Sequence, residues 1–238
     1  MQISTLWRSR LGLALFILGI IAGATLLIAL AWADLESPFY YAQQLGNAQL
    51  DLTCPPFVTP NRAEQVTARV KNPTERELSP LTRAVFSHKG MLREEERRIT
   101  LPPGETQSIT WSVSAENVDR AMFVFANVFV FPDYQFVSLE GSCAAMFVDI
   151  SLLNGWQVFW LSVLLVGLLL PSGYALWVRA NAPLVGEKQN SAGLMKAMLL
   201  VVAVGIAAGY FSSPLLAGAC LIVLILLLGA ALYIWGTR

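Results

Sequence analysis

The chain has 238 residues with a mean hydropathy of +0.57, and only 13% of them are charged. Soluble domains carry about 25% charged residues, so the apolar excess excludes an ordinary water-soluble globule. Net charge is zero, but segment 34–150 holds 10 basic and 15 acidic residues while the remainder holds 6 basic residues and one acid, Glu187. No basic tract is dense enough for nucleic acid, so the asymmetry reads as a membrane-topology signal and nucleic acid is not an expected partner.

Residues 1–10 form a short basic N-terminus with Arg8 and Arg10, and 11–33 carry no charge. Twenty-three residues reach about 34 Å as a helix, enough to cross a hydrocarbon core of about 30 Å. Ala31-Trp32-Ala33 has the form of a signal-peptidase site, which makes a cleaved leader the competing reading. The run is longer than the about 7–15 residues of a signal core, so a retained first span is expected. Residues 34–46 are expected as a juxtamembrane segment. There Phe39, Tyr40 and Tyr41 suit either the headgroup zone or an aromatic patch on the following domain.

Residues 47–150 alternate polar and apolar positions between proline and glycine turns. Leu50, Leu52 and Cys54 share one strand parity; Val66, Ala68 and Val70 share another; Ile109, Trp111 and Val113 a third. Seven short strands at roughly 8–12-residue spacing predict a two-sheet sandwich. The succession VTARVKNPTERELSP, then ITLPPGETQSITWSVS, resembles bacterial immunoglobulin-like or fibronectin-like domains of the CARDB type. Those domains end a strand in an Asn-rich turn and use a Pro-Gly-Glu turn to feed a strand of alternating Ser/Thr and apolar residues. The resemblance implies an all-β immunoglobulin-like sandwich with a binding or spacing role more often than a catalytic one. It departs from the antibody pattern, because Cys54 lies on the first strand and no core Trp falls on the third.

Three further spans follow, at 151–178, 196–212 and 215–235, with a polar loop at 179–195. The expected fold class is therefore four membrane helices with the sandwich inserted between helices 1 and 2. Pro171 is expected to kink the second span. Four spans put both termini on one side. Arg8, Arg10, Arg179, Lys188, Lys196 and Arg238 all fall there, which makes that side the cytoplasm of a multi-pass plasma (inner) membrane protein, with the β region outside. Only a few residues separate Ile150 from Trp156, so the β region is expected to sit on a short tether.

Cys54 and Cys143 lie in the outside region, where disulfides persist, and are expected to pair. Cys220 lies within the last span and reads as a packing residue. No metal site is expected from one histidine and no Cys-x-x-Cys motif. His88 falls where a turn is expected, as a solvated residue. The run Arg93–Arg98 reads as a solvated edge strand, with a partner site as the weaker alternative. Between their ends the spans contain no ionisable residue, which argues against an ion-coupled carrier. Gly19, Gly23, Gly205 and Gly209 are candidate helix-packing residues, either within the chain or with a partner. Residues 122–131 are apolar on both parities, so both strand faces need cover. Phe123, Phe125, Phe129 and Phe131 are candidate partner-interface residues, and cover by the chain itself is the other reading.

No catalytic residue and no cofactor are expected. The functional expectation is a non-catalytic accessory subunit of a larger membrane complex, with other membrane subunits and the lipid bilayer as partners. The alternative is a membrane-anchored extracytoplasmic binding or sensing module.

Overall fold

The computed structural model describes residues 2–40, 48–119, 122–131, 137–211 and 213–236. Its contacts fall into two units, Trp32–Phe159 and the helical set formed by Met1–Ala31 with Trp160–Arg238.

Within Trp32–Phe159, the described residues form nine strands in two sheets. The strands are β1 (Ala48–Gln49), β2 (Asp51–Thr53), β3 (Phe57–Val58), β4 (Glu64–Lys71), β5 (Leu81–His88), β6 (Met91–Arg98), β7 (Thr106–Val113), β8 (Phe123–Val130) and β9 (Leu139–Phe147). The larger sheet runs β1-β9-β8-β5-β6, with β3 also on β9, and the smaller runs β2-β4-β7. β1 and β3 pair parallel to β9, while β5, β6, β8 and β9 pair antiparallel, so the larger sheet is mixed. The alternation seen in the sequence places Val66, Ala68 and Val70 of β4 and Ile109, Trp111 and Val113 of β7 inward. They meet Ala84 and Phe86 of β5 and Val124, Ala126, Val128 and Val130 of β8 in one core. Phe86 and Trp111 face each other there, ring centroids 6.4 Å apart.

The expected all-β sandwich between the first and second helices is corrected by this arrangement. A short 3-10 helix, Ala115–Asn117, is the second helix in chain order and lies inside the β region. Ser114 and Asn117 close it with a reciprocal capping box, which satisfies backbone N–H groups that a strand would have paired. The mixed-sheet unit therefore lies between the first helix and the three long helices after the 3-10 turn.

Among the described residues, four helices are long and apolar enough to cross a membrane: α1 (Gln2–Tyr40), α2 (Gly155–Asn181), α3 (Glu187–Tyr210) and α4 (Pro214–Gly236). α1 runs past Ala33 through Asp34 and Glu36, so residues 34–40 continue the helix where a separate juxtamembrane segment was expected. Residues 41–46, including Tyr41, lie outside the described residues, as does Arg238. α3 begins at Glu187, nine residues before the expected start of the third span, and this puts Lys196 inside the helix.

Close approaches fix how the helices run. A Cβ added at Gly12 would sit 2.6 Å from the Trp177 nitrogen, one at Gly19 2.8 Å from Leu170, and one at Gly23 3.5 Å from Val166. Rising numbers on α1 thus meet falling numbers on α2, and the two are antiparallel. Gly23 meets Val202, Leu27 meets Gly205 and Leu30 meets Gly209, so α1 and α3 run parallel. Ser9 accepts a hydrogen bond from the Asn181 amide at 2.8 Å, tying the start of α1 to the end of α2. Arg8, Arg10, Arg179 and Lys188 consequently share one end of the helical set, and all four are exposed. Trp160, Tyr210 and Phe211 cluster at the other end, with centroids 5.6 and 5.2 Å apart.

Candidate functional site

The start of α2 is held by side-chain hydrogen bonds from three residues, Asn154, Gln157 and Glu64. Asn154 is the residue before the helix. Its side-chain oxygen accepts from the Gln157 backbone N–H at 2.7 Å, and the Gln157 side chain accepts from the Asn154 N–H at 2.9 Å. This is the capping-box geometry with amide side chains. Glu64, the first residue of β4 and 8% exposed, accepts from the Gly155 N–H at 2.7 Å. A carboxylate there also meets the positive end of the helix dipole. Gly155 lies so close to the Phe57 carbonyl that any side chain would collide with β3 backbone. Just before it, the Val148 N–H donates to Val58 at 2.9 Å, continuing the β3–β9 pairing. The first turn of α2 therefore rests on a seat made by β3, β4 and its own cap.

Sequence reasoning missed Glu64, Phe57 and Gly155. The legible signal was Asn154-Gly-Trp-Gln157, an N-x-x-Q pattern just before an apolar run.

Cys54 and Cys143 are disulfide-bonded, with Cα atoms 6.1 Å apart. Cys54 follows β2 of the smaller sheet and Cys143 belongs to β9 of the larger, so the bridge joins the two sheets. Cys220 is a buried free thiol, packed where a Cβ on Gly205 would lie 3.0 Å from it.

The expected partner surface on the Phe-rich strand is not a free face. Every residue of β8 is buried, with Phe125 at 0% and Phe123 and Phe129 at 7% exposure. Even parities enter the core between the sheets, whereas Phe123 and Phe125 pack with Ala144 and Met146 on the other side. Phe131 follows the strand, half-buried, edge-on to Phe129 at 4.7 Å and beneath the Arg83 guanidinium at 5.3 Å. Asn127, the polar interruption, donates to Glu140 at 3.0 Å.

All four candidate packing glycines lie at contacts within the chain: Gly19 on α2, Gly23 on α3, Gly205 on α1 and α4, and Gly209 on α1. The tightest pair, Gly12 with Gly173, was not singled out, although Gly12 lies seven residues before Gly19 on the same helix face. A Cβ on Gly173 would stand 2.5 Å from the Phe16 nitrogen and 2.8 Å from the Gly12 oxygen.

β6 is the outer strand of the larger sheet and its charged run is largely exposed, with an Arg93–Glu95 ion pair. That fits a strand whose charges discourage edge-to-edge pairing. His88 is the half-buried last residue of β5, before the Lys89-Gly90 turn. Gly90 has φ 82°, a left-handed conformation that glycine adopts freely. Among the described residues no group of three or more His, Cys, Asp or Glu could hold a metal ion.

No protein-family profile and no curated protein matches the chain. Solved structures do. The CARDB domain of a Pyrococcus furiosus protein is 15% identical, with a TM-score of 0.34 over 44% of this chain and 96% of that domain. A Paenibacillus cycloisomaltooligosaccharide glucanotransferase is 16% identical, with a TM-score of 0.33 over 45% of this chain and 14% of that enzyme. A superoxide reductase from Ignicoccus hospitalis is 11% identical, with a TM-score of 0.31 over 48% of this chain and 90% of that one. CARDB domains, the type that its Asn-Pro and Pro-Gly-Glu turns resemble, are thus among the solved structures it is similar to; the chain itself carries a two-sheet β unit, four apolar helices and a disulfide.

Proposed function

We propose that the chain is a non-catalytic accessory subunit of a larger membrane complex. Its helices pack beside partner spans, and its β unit, on the extracytoplasmic side, braces or caps the partner's outer part. The observation that carries this reading is the seat of α2. A brace must transmit position, and Glu64, Gly155 and the Asn154–Gln157 box hold the first turn of α2 against β3 and β4. A sensor or long-reach receptor has no use for so stiff a connection.

The orientation is supported by Arg8, Arg10, Arg179 and Lys188 sharing one end of the helical set, which the positive-inside rule assigns to the cytoplasm. Two of the spans speak against an ion-coupled carrier. α2 has no Asp, Glu, Lys, Arg or His before Arg179, and α4 has none. Proton relays and coupled carriers depend on chains of such groups at depth.

The test is purification from native membranes in mild detergent, followed by native mass measurement. The reading expects a species well above the 26.0 kDa monomer, and monomer alone would sink it. A flexible Gly-Ser insertion between Ile150 and Asn154 sharpens the brace. It should dissociate the complex while leaving the disulfide formed; a complex indifferent to the insertion removes bracing from the account.

A further inference from the structure

Lys196 stands at a depth where a cation is costly. Gly205 of α3 packs against Leu27 of α1, and the two helices run parallel. Nine residues earlier on each helix lie Lys196 and Leu18, which are therefore level. Gly19 packs on Leu170 of the antiparallel α2, which puts Pro171 at the same height. Arg10, Arg179 and Lys188 each lie eight residues from this level toward the basic end, or about 12 Å along the helices. Tyr210, in the aromatic cluster, lies fourteen residues the other way, about 21 Å. The two markers are thus about 33 Å apart, close to the thickness of a bilayer's apolar core. Lys196 sits about a third of the way across it, and its flexible stem recovers about half of that depth.

The side chain does not turn inward. Met195, Met198, Val202 and Gly205 are the buried positions of α3, while Lys196 is exposed. Gly193, Lys196, Leu200, Ala203 and Ala207 are all exposed and recur at three- and four-residue steps, which places them on one helix face. A Cβ on Gly193 would meet nothing within 4 Å. The only acid of the helical set's own sequence, Glu187, lies nine residues away at the start of α3. Lys196 is in no ion pair among the described residues.

The geometry points to this α3 face as the docking site for a partner's transmembrane helix that carries an Asp or Glu at the depth of Lys196. The inference rests on the accessory-subunit reading and says which helix meets the partner and by what chemistry. Charge complementarity selects the occupant: an apolar helix would leave the ammonium bare, whereas a carboxylate at that height neutralises it where water is scarce. Gly193, Ala203 and Ala207 let the partner's backbone come close enough for the two groups to meet.

A photoreactive residue at position 200 of the full chain, in native membranes, reads this face directly. The expected adduct is a membrane protein whose spanning segment holds a carboxylate. Lys196→Leu should cut its yield about tenfold, while Lys196→Arg keeps it. Neutralising the partner's carboxylate should cause the same loss, and Lys196→Glu combined with the partner's acid changed to lysine should restore the adduct. Lipid adducts alone at position 200 would mean that Lys196 reaches a lipid phosphate, which overturns the proposal; so would a protein adduct indifferent to Lys196→Leu. The same probe at Ile222, exposed on α4, and at Glu94 of β6 separates the two readings. Protein adducts there with only lipid at position 200 discard the α3 face and leave the accessory reading standing. Lipid or no adducts at all three positions discard both.

Discussion

In the helical set the helices meet most closely where side chains are missing; in the β unit, Gly155 aside, it is side chains making bonds that hold the turns. α1 meets α2 backbone to backbone at Gly12 and Gly173. The β unit instead uses Asn72, fully buried, whose amide donates to the carbonyls of Arg76, Leu101 and Pro102 at 2.7 to 3.1 Å while its oxygen accepts from Thr74. The solvent explains the contrast. Water drives the sheets together and leaves their turns needing polar partners. In lipid, which is as apolar as leucine, helices of this length and composition would gain by fitting closely, and a missing Cβ is what permits the fit.

Gly173→Leu is the severest way to break that contrast. Its new atoms would meet the Phe16 nitrogen and Gly12 oxygen, backbone that cannot swing aside. The folded fraction in detergent, read as the monodisperse peak, should fall at least about tenfold. Gly229→Leu, which meets nothing within 4 Å, should leave the peak unchanged. If both behave alike, close approach is not what holds the helices.

The disulfide comes next. Cys54→Ser with Cys143→Ser opens a loop of 89 residues and should lower the stability of the β unit by about 4 kcal/mol, measured as a fall in its thermal midpoint. Asn72→Ala should cost about 2–3 kcal/mol by the same measurement, since a buried side chain that bonds three carbonyls and Thr74 is lost. Glu64→Gln tests the seat of α2. It keeps an acceptor but removes the charge facing the helix N-terminus, and a loss of about 0.5–1 kcal/mol is expected. Amide exchange at Gly155 should rise before global unfolding. Arg93→Ala, in a half-exposed ion pair on β6, should change stability by no more than about 0.5 kcal/mol.

Much of this was legible because it depends on local period. Strand parity in β4 and β7, the turn at Lys89-Gly90, the apolar lengths of the helices and the partnership of Cys54 with Cys143 all follow from residue spacing or compartment. What depended on the neighbour across space was not. The two apolar parities of β8 announced that both faces were covered but not that the chain supplies the cover. Asp34 and Glu36 marked a change of surroundings, yet α1 continues through them, with the Trp32 indole donating to Glu36 at 2.9 Å one turn on. Glu64 looked like the ordinary polar start of a strand; its partner, Gly155, lies 91 residues away. Charge alone draws the edge of the third span at Lys196, whereas α3 begins nine residues earlier, at Glu187.

β9 pairs with β1, β3 and β8 and carries Cys143. The hub of the larger sheet is thus the last strand to be synthesised, and it ends eight residues before α2 begins. Until it emerges, β1 and β3 have no partner in that sheet and Cys54 has no thiol to join. Completion of the β unit must wait until the ribosome is already delivering the second span. Assembly of the domain and delivery of α2 therefore coincide in time, and a chain stalled before Leu139 would present an open β8 edge to pairing with other chains.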